Sequence, residues 1–248
     1  SHLSNGESAV VWLSHIGGHP CTLIGIESQP ITRRGRIPLH GPDIWTGGTL
    51  FPQSSKKIAR ALNSASGIHP VVVLANLSGF DGSPESLQNL QLEYGAEIGR
   101  AVVNFEGPII FVVIGRYHGG AYVVFSKALN PNLVSMAVEG SFASVIGGAP
   151  AAAVVFSRDV KQLVNSDSRI VELREKSHQA SAQEKVQLRE QFERLQNDIT
   201  LEKRGEVAKE FDQVHSVKRA IQVGSLDAVI KAKDLRPRII QELRNRRG

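Results

Sequence analysis

Short apolar runs alternate with amphipathic stretches along the first two-thirds of the chain. The runs are rich in Val, Ile and Ala, and they lie at 9–13, 22–26, 71–75, 107–115, 132–140 and 151–156. Runs of this length and composition predict β-strands. The Gly-rich stretch SHIGGHP separates the first two and predicts a β-hairpin. The run GPIIFVVIG is apolar on nearly every residue, which predicts a strand buried on both faces of a mostly parallel sheet.

Helical spacing occurs between the predicted strands. After a loop rich in Gly, Pro, Arg and Thr at 27–50, the stretch FPQSSKKIARAL predicts a helix capped by Ser54 or Ser55. A second helix is predicted by apolar side chains spaced by three and four residues, at Leu87, Leu90, Tyr94, Ile98 and Ala101. A third predicted helix covers 121–129, and GGAP opens a turn or helix before the last apolar run. Strands alternating with helices predict a layered α/β fold.

The composition changes at about residue 158. From 160 to 210 the chain is charged and almost free of Gly and Pro. A stripe of apolar side chains at spacings of four, three and four lies on one side of a long predicted helix, at Leu188, Phe192, Leu195 and Ile199. This stripe predicts either packing of the helix on its own domain or a contact between subunits.

Composition and charge narrow the class of protein. The chain of 248 residues is 41% hydrophobic and 21% charged, which is typical of a globular protein with one large domain or two small ones. No apolar run has the length of a membrane span, and no signal peptide is present, so a cytoplasmic location without membrane contact is predicted. A single cysteine fits a reducing compartment. The net charge of +5 favours anionic partners, but the dispersed basic residues argue against nucleic acid.

Several familiar motifs are absent from the sequence. It contains no G-x-G-x-x-G fingerprint, no G-x-x-x-x-G-K-[ST] loop and no G-x-S-x-G nucleophile elbow. His15 and His19 lie four residues apart, but no carboxylate or thiolate cluster accompanies them, so no metal site is predicted.

Small residues follow two of the predicted strands. Gly119, Gly120 and Ala121 come after a buried strand and open a helix, where the first backbone N–H groups lack intrahelical partners and the helix dipole favours negative charge. A glycine there allows close approach of a ligand, or a backbone angle that only glycine takes at low cost. The stretch NLSGFDGS follows a neighbouring strand, so both loops can supply amides to one oxyanion. Two ordinary strand-to-helix turns are the alternative.

Longer segments resemble a known family. The hairpin, LFPQSSKKIARAL, GGAYVV, EGSFASVIGGAPAAAVVF and GSLDAVIKAKDLRPRIIQEL are similar to the carboxyltransferase of biotin-dependent acyl-CoA carboxylases, specifically to its C-terminal crotonase-like subdomain. The resemblance implies an α/β crotonase-like fold, with mostly parallel sheet layers flanked by helices. It also implies one domain over 6–248 that includes an extended helical segment at 160–215.

The same resemblance implies an activity and a site. In this family a carboxyl group moves from carboxybiotin to the α-carbon of an acyl-CoA, and the C-terminal half holds biotin. The oxyanion donors are then the backbone N–H groups of Gly79 or Phe80 and of Gly120 or Ala121, with Gly119 beside the biotin. The amides stabilise the charge on the ureido oxygen, and no side-chain base or metal is required.

Two features depart from the family pattern. His118 stands where relatives carry tyrosine or arginine, so its contact with biotin is a separate hypothesis. Only the C-terminal half is present, so the chain is an excised domain or one subunit of a split enzyme. It is expected to be inactive without the N-terminal half, to belong to a homo-oligomer, and to need biotin carboxylase and a biotin carrier.

Two other functions stay open at this stage. A crotonase-type acyl-CoA hydratase or isomerase needs acidic residues over the thioester, for which Glu85, Glu93 and Glu97 are candidates on a predicted helix. A non-catalytic assembly module that kept the fold is the other alternative, favoured by the missing half and by the helical segment at 160–210.

Overall fold

The computed structural model describes residues 6–35, 37–38 and 41–245. They form two units, one made of the residues up to Val145 together with those from His215 onward, and the other made of Ile146–Val214. The described strands, in chain order, are β1 (Ala9–Ile16), β2 (His19–Ile26), β3 (Ile31–Thr32), β4 (Ile44–Trp45), β5 (Thr49–Leu50), β6 (Val71–Leu77), β7 (Gly79–Phe80), β8 (Ile109–Tyr117), β9 (Leu133–Val138), β10 (Phe142–Ala143) and β11 (Ala228–Ile230).

The described α-helices are distributed over both units. In chain order they are α1 (Pro52–Ala65), α2 (Pro84–Gln88), α3 (Gln91–Val103), α4 (Gly120–Val124), α5 (Gly148–Pro150), α6 (Ser157–Ser166), α7 (Ser168–Gln179), α8 (Ala182–Val214), α9 (Val217–Gln222) and α10 (Leu235–Asn245). No helix among the described residues combines the length and apolar character needed to cross a membrane.

The first unit is organised around a seven-stranded sheet. Its strand order is β1-β2-β6-β8-β9-β11, with β10 beside β8. Among the described strand pairs of this sheet, β1–β2 alone is antiparallel, and it forms the predicted hairpin. The other pairs are parallel, as the fully apolar run of β8 predicted.

Both faces of this sheet are covered. Alternate residues of β6 point to opposite sides, so that Val71 and Val73 join one apolar cluster while Val72 joins the other. The first cluster contains buried side chains of α1 and α3, and the second contains Ile239 and Leu243 of α10. The layered α/β arrangement predicted from the sequence is therefore present.

Some helix boundaries differ from the prediction. The helix α1 begins at Pro52, so the N-cap is Phe51 and not Ser54 or Ser55 as predicted. Proline at the first helical position has no N–H to satisfy, and the Ser54 hydroxyl, inside the first turn, accepts from the Phe51 N–H. The helix predicted over 121–129 ends at Val124. The predicted loop at 27–50 contains the short strands β3, β4 and β5.

The second predicted helix is broken in two. The backbone of Leu90 has a φ of 66°, a left-handed conformation that ends α2 and starts α3. Leu87 and Leu90 are 47% and 53% exposed, whereas Ile98 and Ala101 are buried in the first cluster. The stripe of three- and four-residue spacing is thus realised only within α3.

The predicted strand at 151–156 is wrong. Residues Ala151–Val155 form a π-helix that continues from α5 in the second unit. A short apolar run cannot be assigned to strand or helix by periodicity alone, and alanine, which occupies its first three positions, has the highest helix propensity. The GGAP segment opens a helix, as predicted.

The second unit is helical and has its own apolar cluster. Ile199 of α8 is fully buried against Val160, Val164 and Ile170 of α6 and α7. Phe192 and Leu195 pack against the same cluster, while Leu188 is half-buried. The stripe therefore packs within its own unit, as the first of the two sequence interpretations predicted.

Candidate functional site

The two loops of small residues lie at the same edge of the sheet. Strands β6 and β8 are parallel neighbours, with Val71 opposite Ile109 and Leu77 opposite Tyr117. Their carboxyl ends lead into Ser78–Phe80 and into the turn before α4. Ligands in open α/β sheets bind outside the carboxyl ends of the strands, so this edge is the place to search for a site.

The two loops are in direct contact through their glycines. A Cβ atom on Gly119 would lie 3.3 Å from the Cα of Gly79. A Cβ atom on Gly120 would lie 2.4 Å from Cδ2 of the Phe80 ring, so the ring or the turn would have to move to make room for it. The structure thus brings together Gly79, Phe80, Gly119 and Gly120, and the close approach that Gly120 allows is that of Phe80.

The paired glycines have different backbone roles. Gly119 has a φ of 64°, in the left-handed region that favours glycine, and its N–H donates to the carbonyl oxygen of Val145 at 2.9 Å. Gly120 lies outside that region, so the low-cost backbone angle considered for it belongs to Gly119 instead. The glycine at 120 is explained by space, and the glycine at 119 by conformation.

The two backbone amides that follow Gly119 are available to a ligand. Within the described residues, the N–H groups of Gly120 and Ala121 donate to no other group, as expected for the first turn of a helix. Gly120 is half-buried and Ala121 is fully buried. The helix α4 has only one turn, so the amides themselves, rather than a helix dipole, are the polar groups on offer.

His118 is buried behind the turn. It is 4% exposed, and its Nδ1 lies 3.1 Å from the Oγ and 3.3 Å from the carbonyl oxygen of Ser144. The N–H of Ser144 donates to the carbonyl oxygen of Tyr117. Together with the bond from Gly119 to Val145, these contacts join the turn to the segment that follows β10. Ser144, which lies 26 residues from His118, was not among the residues predicted from the sequence.

A cationic group that the sequence analysis also missed lies at this edge. The backbone N–H of Arg116 donates to Oδ1 of Asn76 at 3.1 Å, and its Nε lies 3.4 Å from the same oxygen. Asn76 in turn donates to the hydroxyl of Ser28 at 3.0 Å. A charged residue at the end of a fully apolar strand was the available signal in the sequence.

The carboxylates considered for a hydratase have other surroundings. Glu85 accepts from the guanidinium of Arg33 at 2.6 Å and 3.0 Å, which is a bidentate ion pair. Glu97 lies 3.9 Å from Arg100, and Glu93 is exposed. The ion pairs of Glu85 and Glu97 and the exposure of Glu93 are typical of surface carboxylates.

The histidines of the hairpin belong to its strands. His15 is opposite Pro20 in the register, and His19 is opposite Ile16. Among the residues described by the structure, no group of three His, Cys, Asp or Glu side chains could hold a metal ion. Cys21 is buried in the second cluster of the sheet, and this burial raises the pKa of its thiol.

Curated proteins from two yeasts are similar to this chain. The chain is 30% identical over 142 residues to acetyl-CoA carboxylase of Saccharomyces cerevisiae, covering 52% of this chain and 6% of the relative. It is 27% identical over 164 residues to acetyl-CoA carboxylase of Schizosaccharomyces pombe, covering 62% of this chain and 7% of the relative. The chain thus spans a small fraction of the length of the curated relatives it matches.

A solved structure resembles the whole fold. The crystal structure of transcarboxylase 12S, described as a hexamer with methylmalonyl-coenzyme A and methylmalonic acid bound, superposes with a TM-score of 0.67. The likeness covers 98% of this chain and 38% of that one, at 18% identity. It confirms the α/β crotonase-like fold. The family model described as the carboxyl transferase domain matches residues 3–246. Because that match spans nearly the whole chain, this protein belongs to the carboxyl transferase domain family.

Proposed function

We propose that this chain is the biotin-binding half of an acyl-CoA carboxyltransferase. The observation that carries the proposal is the contact between the two glycine loops at the carboxyl ends of β6 and β8. This contact sets the backbone of Gly79 and Phe80 beside the free amides of Gly120 and Ala121. Membership of the carboxyl transferase domain family supports the same conclusion.

The chemistry follows from charge that develops on biotin. Carboxybiotin breaks its N–C bond and releases CO2, and the bonding electrons leave negative charge on the ureido oxygen. The amides of the two loops donate hydrogen bonds to that oxygen, which lowers the barrier because they are already oriented. The ureido nitrogen then takes a proton from the α-carbon of the acyl thioester, and the resulting enolate attacks CO2. No side-chain nucleophile is needed in this sequence of steps.

The proposed partners follow from the part of the family that this chain represents. The acyl-CoA substrate is held by an N-terminal carboxyltransferase half, and carboxybiotin arrives on a carrier that a biotin carboxylase has loaded. The relatives in yeast are acetyl-CoA carboxylases, and the structural neighbour is a hexamer that binds methylmalonyl-coenzyme A. They support an oligomeric enzyme acting on a short acyl-CoA.

The test is a set of substitutions at Gly120 and Phe80 in the complete enzyme that carries this chain. Gly120→Ala places a methyl group where the Phe80 ring lies, so the loops separate and transfer falls roughly a hundred- to thousand-fold, the usual effect of losing one oxyanion donor. Phe80→Ala keeps its N–H and should have a small effect. The double variant has room for the methyl group and should recover much of the lost rate.

Controls separate this result from misfolding. Circular dichroism and thermal unfolding should be unchanged, and Ala121→Gly, which keeps its N–H, should be mild. A folded Gly120→Ala enzyme with near-normal transfer from carboxybiotin would reject the oxyanion role of these loops. It would leave two ordinary strand-to-helix turns as the better interpretation of the glycines.

A further inference from the structure

We infer that Arg116 is a binding residue for the carboxylate of the group in transit, at the mouth of the site formed by the two loops. The inference rests on the proposed function, because it assigns a ligand to a side chain beside the proposed biotin site. It adds a specific electrostatic contact to a site otherwise built from backbone amides.

A bulge in β8 places this side chain. Three residues of β8 lie between the partners Val113 and Tyr117, whereas only one residue of β6, Asn76, lies between Ala75 and Leu77. Asn76 therefore faces the extra residues of β8, and its side chain oxygen takes the N–H of Arg116 that the ladder leaves unpaired. Bulges of this kind are frequent next to active sites, where they redirect a side chain.

Glycine makes this arrangement possible. A Cβ atom on Gly115 would lie 2.6 Å from Oδ1 of Asn76, so only glycine lets the two segments meet. The amide of Asn76 is itself held by Ser28. The guanidinium is thus oriented through its backbone and its Nε, with both terminal nitrogens left for another partner.

The terminal nitrogens have no anionic partner in the part of the chain that the structure describes. No carboxylate there lies within ion-pairing distance of Arg116, which is exposed. Its Nη2 lies 3.8 Å from the position of a Cβ atom on Gly48, and Oγ of Ser78 lies 3.3 Å from the same point. Ser78 directly precedes Gly79, so the cation stands at the entrance to the loop pair.

A carboxylate is the anion that the proposed reaction places there. The carboxyl group that is transferred is negatively charged on carboxybiotin before transfer and on the acyl thioester after it. A guanidinium can bind such a carboxylate with two hydrogen bonds. Because both the carboxylate and the ureido oxyanion that replaces it are negative, the cation stabilises ground and transition states alike. Loss of the charge should therefore appear in KM rather than in kcat.

The experiment uses the complete enzyme that carries this chain and follows transfer in both directions. In the reverse direction, with malonyl-CoA as donor and free biotin as acceptor, Arg116→Gln should raise the KM for malonyl-CoA roughly tenfold, with kcat within about twofold of wild type. The effect should shrink as ionic strength rises. Arg116→Lys keeps the charge and should be intermediate. Arg100→Gln removes an equal charge from the exposed face of α3 and should leave KM unchanged.

Three other outcomes would overturn the inference or the proposed function. An unchanged KM for malonyl-CoA in Arg116→Gln overturns the inference while the proposed function stands. An equal rise in KM for uncarboxylated acetyl-CoA in the forward direction also overturns it, because that result assigns Arg116 to the phosphates of coenzyme A. A wild-type enzyme without any transfer rejects the proposed function itself, and the inference with it.

Discussion

Three consecutive residues of the site perform separate physical tasks. His118 ties the turn to Ser144, Gly119 takes the left-handed backbone conformation, and Gly120 leaves room for the ring of Phe80. Each task can be lost by itself, since a hydrogen bond, a backbone angle and a steric contact depend on different atoms. Together, these three contacts and conformations hold the free amides of Gly120 and Ala121 in place.

A substitution series at His118 tests whether it positions the turn or contacts biotin. His118→Leu removes the bond to Ser144 and should lower kcat about two- to tenfold, the scale of one net hydrogen bond. His118→Asn offers an amide at a similar distance and should retain most of the activity. Steady-state kinetics of the complete enzyme provide both parameters, and KM for acyl-CoA should not change.

The partner residue supplies the matching control. Ser144→Ala removes the Oγ contact but keeps the backbone carbonyl near His118 Nδ1, so it should lower kcat less than His118→Leu does. The double variant should be little worse than His118→Leu, because that substitution already removes both contacts. A raised KM for free biotin in the His118 variants, with unchanged kcat, would instead support direct contact between this side chain and the cofactor.

At the scale of elements, the second unit relies on one long helix to cover two shorter ones. The apolar side of α8 meets α6 and α7 around Ile199, while the rest of α8 is largely exposed and charged. The start of α7 is fixed by Asp167, whose carboxylate accepts from the Arg169 backbone and guanidinium. The Arg169 side chain lowers the pKa of Asp167 to about 2.

The cost of truncating the buried position of α8 can be predicted. Ile199→Ala should destabilise the protein by about 2–5 kcal/mol, because the site is fully enclosed and leaves a cavity. Leu201→Ala, at a position that is 68% exposed on the same helix, is the matched control and should change stability little. Denaturant unfolding of both variants gives the comparison. Equal stability of the two variants, with a changed mass in light scattering, would show a subunit contact instead.

At the scale of the whole molecule, the chain has a unit built around a mixed sheet and a helical unit, and it matches only part of its relatives. It spans 6% of the length of its acetyl-CoA carboxylase relative and 38% of the transcarboxylase chain. The site proposed for biotin is an open sheet edge with backbone amides, and we propose that another part of the enzyme holds the thioester. The proposed reaction therefore depends on a second half.

Complementation tests that dependence. The chain alone should show no transfer between malonyl-CoA and free biotin, and addition of the N-terminal half should restore transfer at a rate that saturates as the second half is titrated. Sedimentation of the complete two-half enzyme should show an oligomer. Full activity of the isolated chain, or a concentration-independent monomer of the complete enzyme, would contradict the picture of a shared site.

The sequence by itself determined the longer strands β1, β2, β6, β8 and β9, the hairpin and the edge at which the two loops meet. The apolar run of β8 is rich in β-branched residues and bounded by glycines, which favours a buried parallel strand over a helix. The carboxyl ends of adjacent parallel strands meet at one edge. The periodic side of α8 likewise identified Ile199 as a buried position. These features depend on local composition and spacing, which one chain is sufficient to display.

Only the tertiary structure decided the break at Leu90, the π-helix at Ala151–Val155 and the contacts of the site. A left-handed leucine carries no sequence signal, and a short apolar run fits helix or strand until its neighbours are known. The packing of Phe80 on Gly120 and the hydrogen bond from Arg116 to Asn76 each join residues that lie 40 apart along the chain. Such contacts depend on how strands are aligned and bulged, and that is set by packing of the whole sheet rather than by any local pattern.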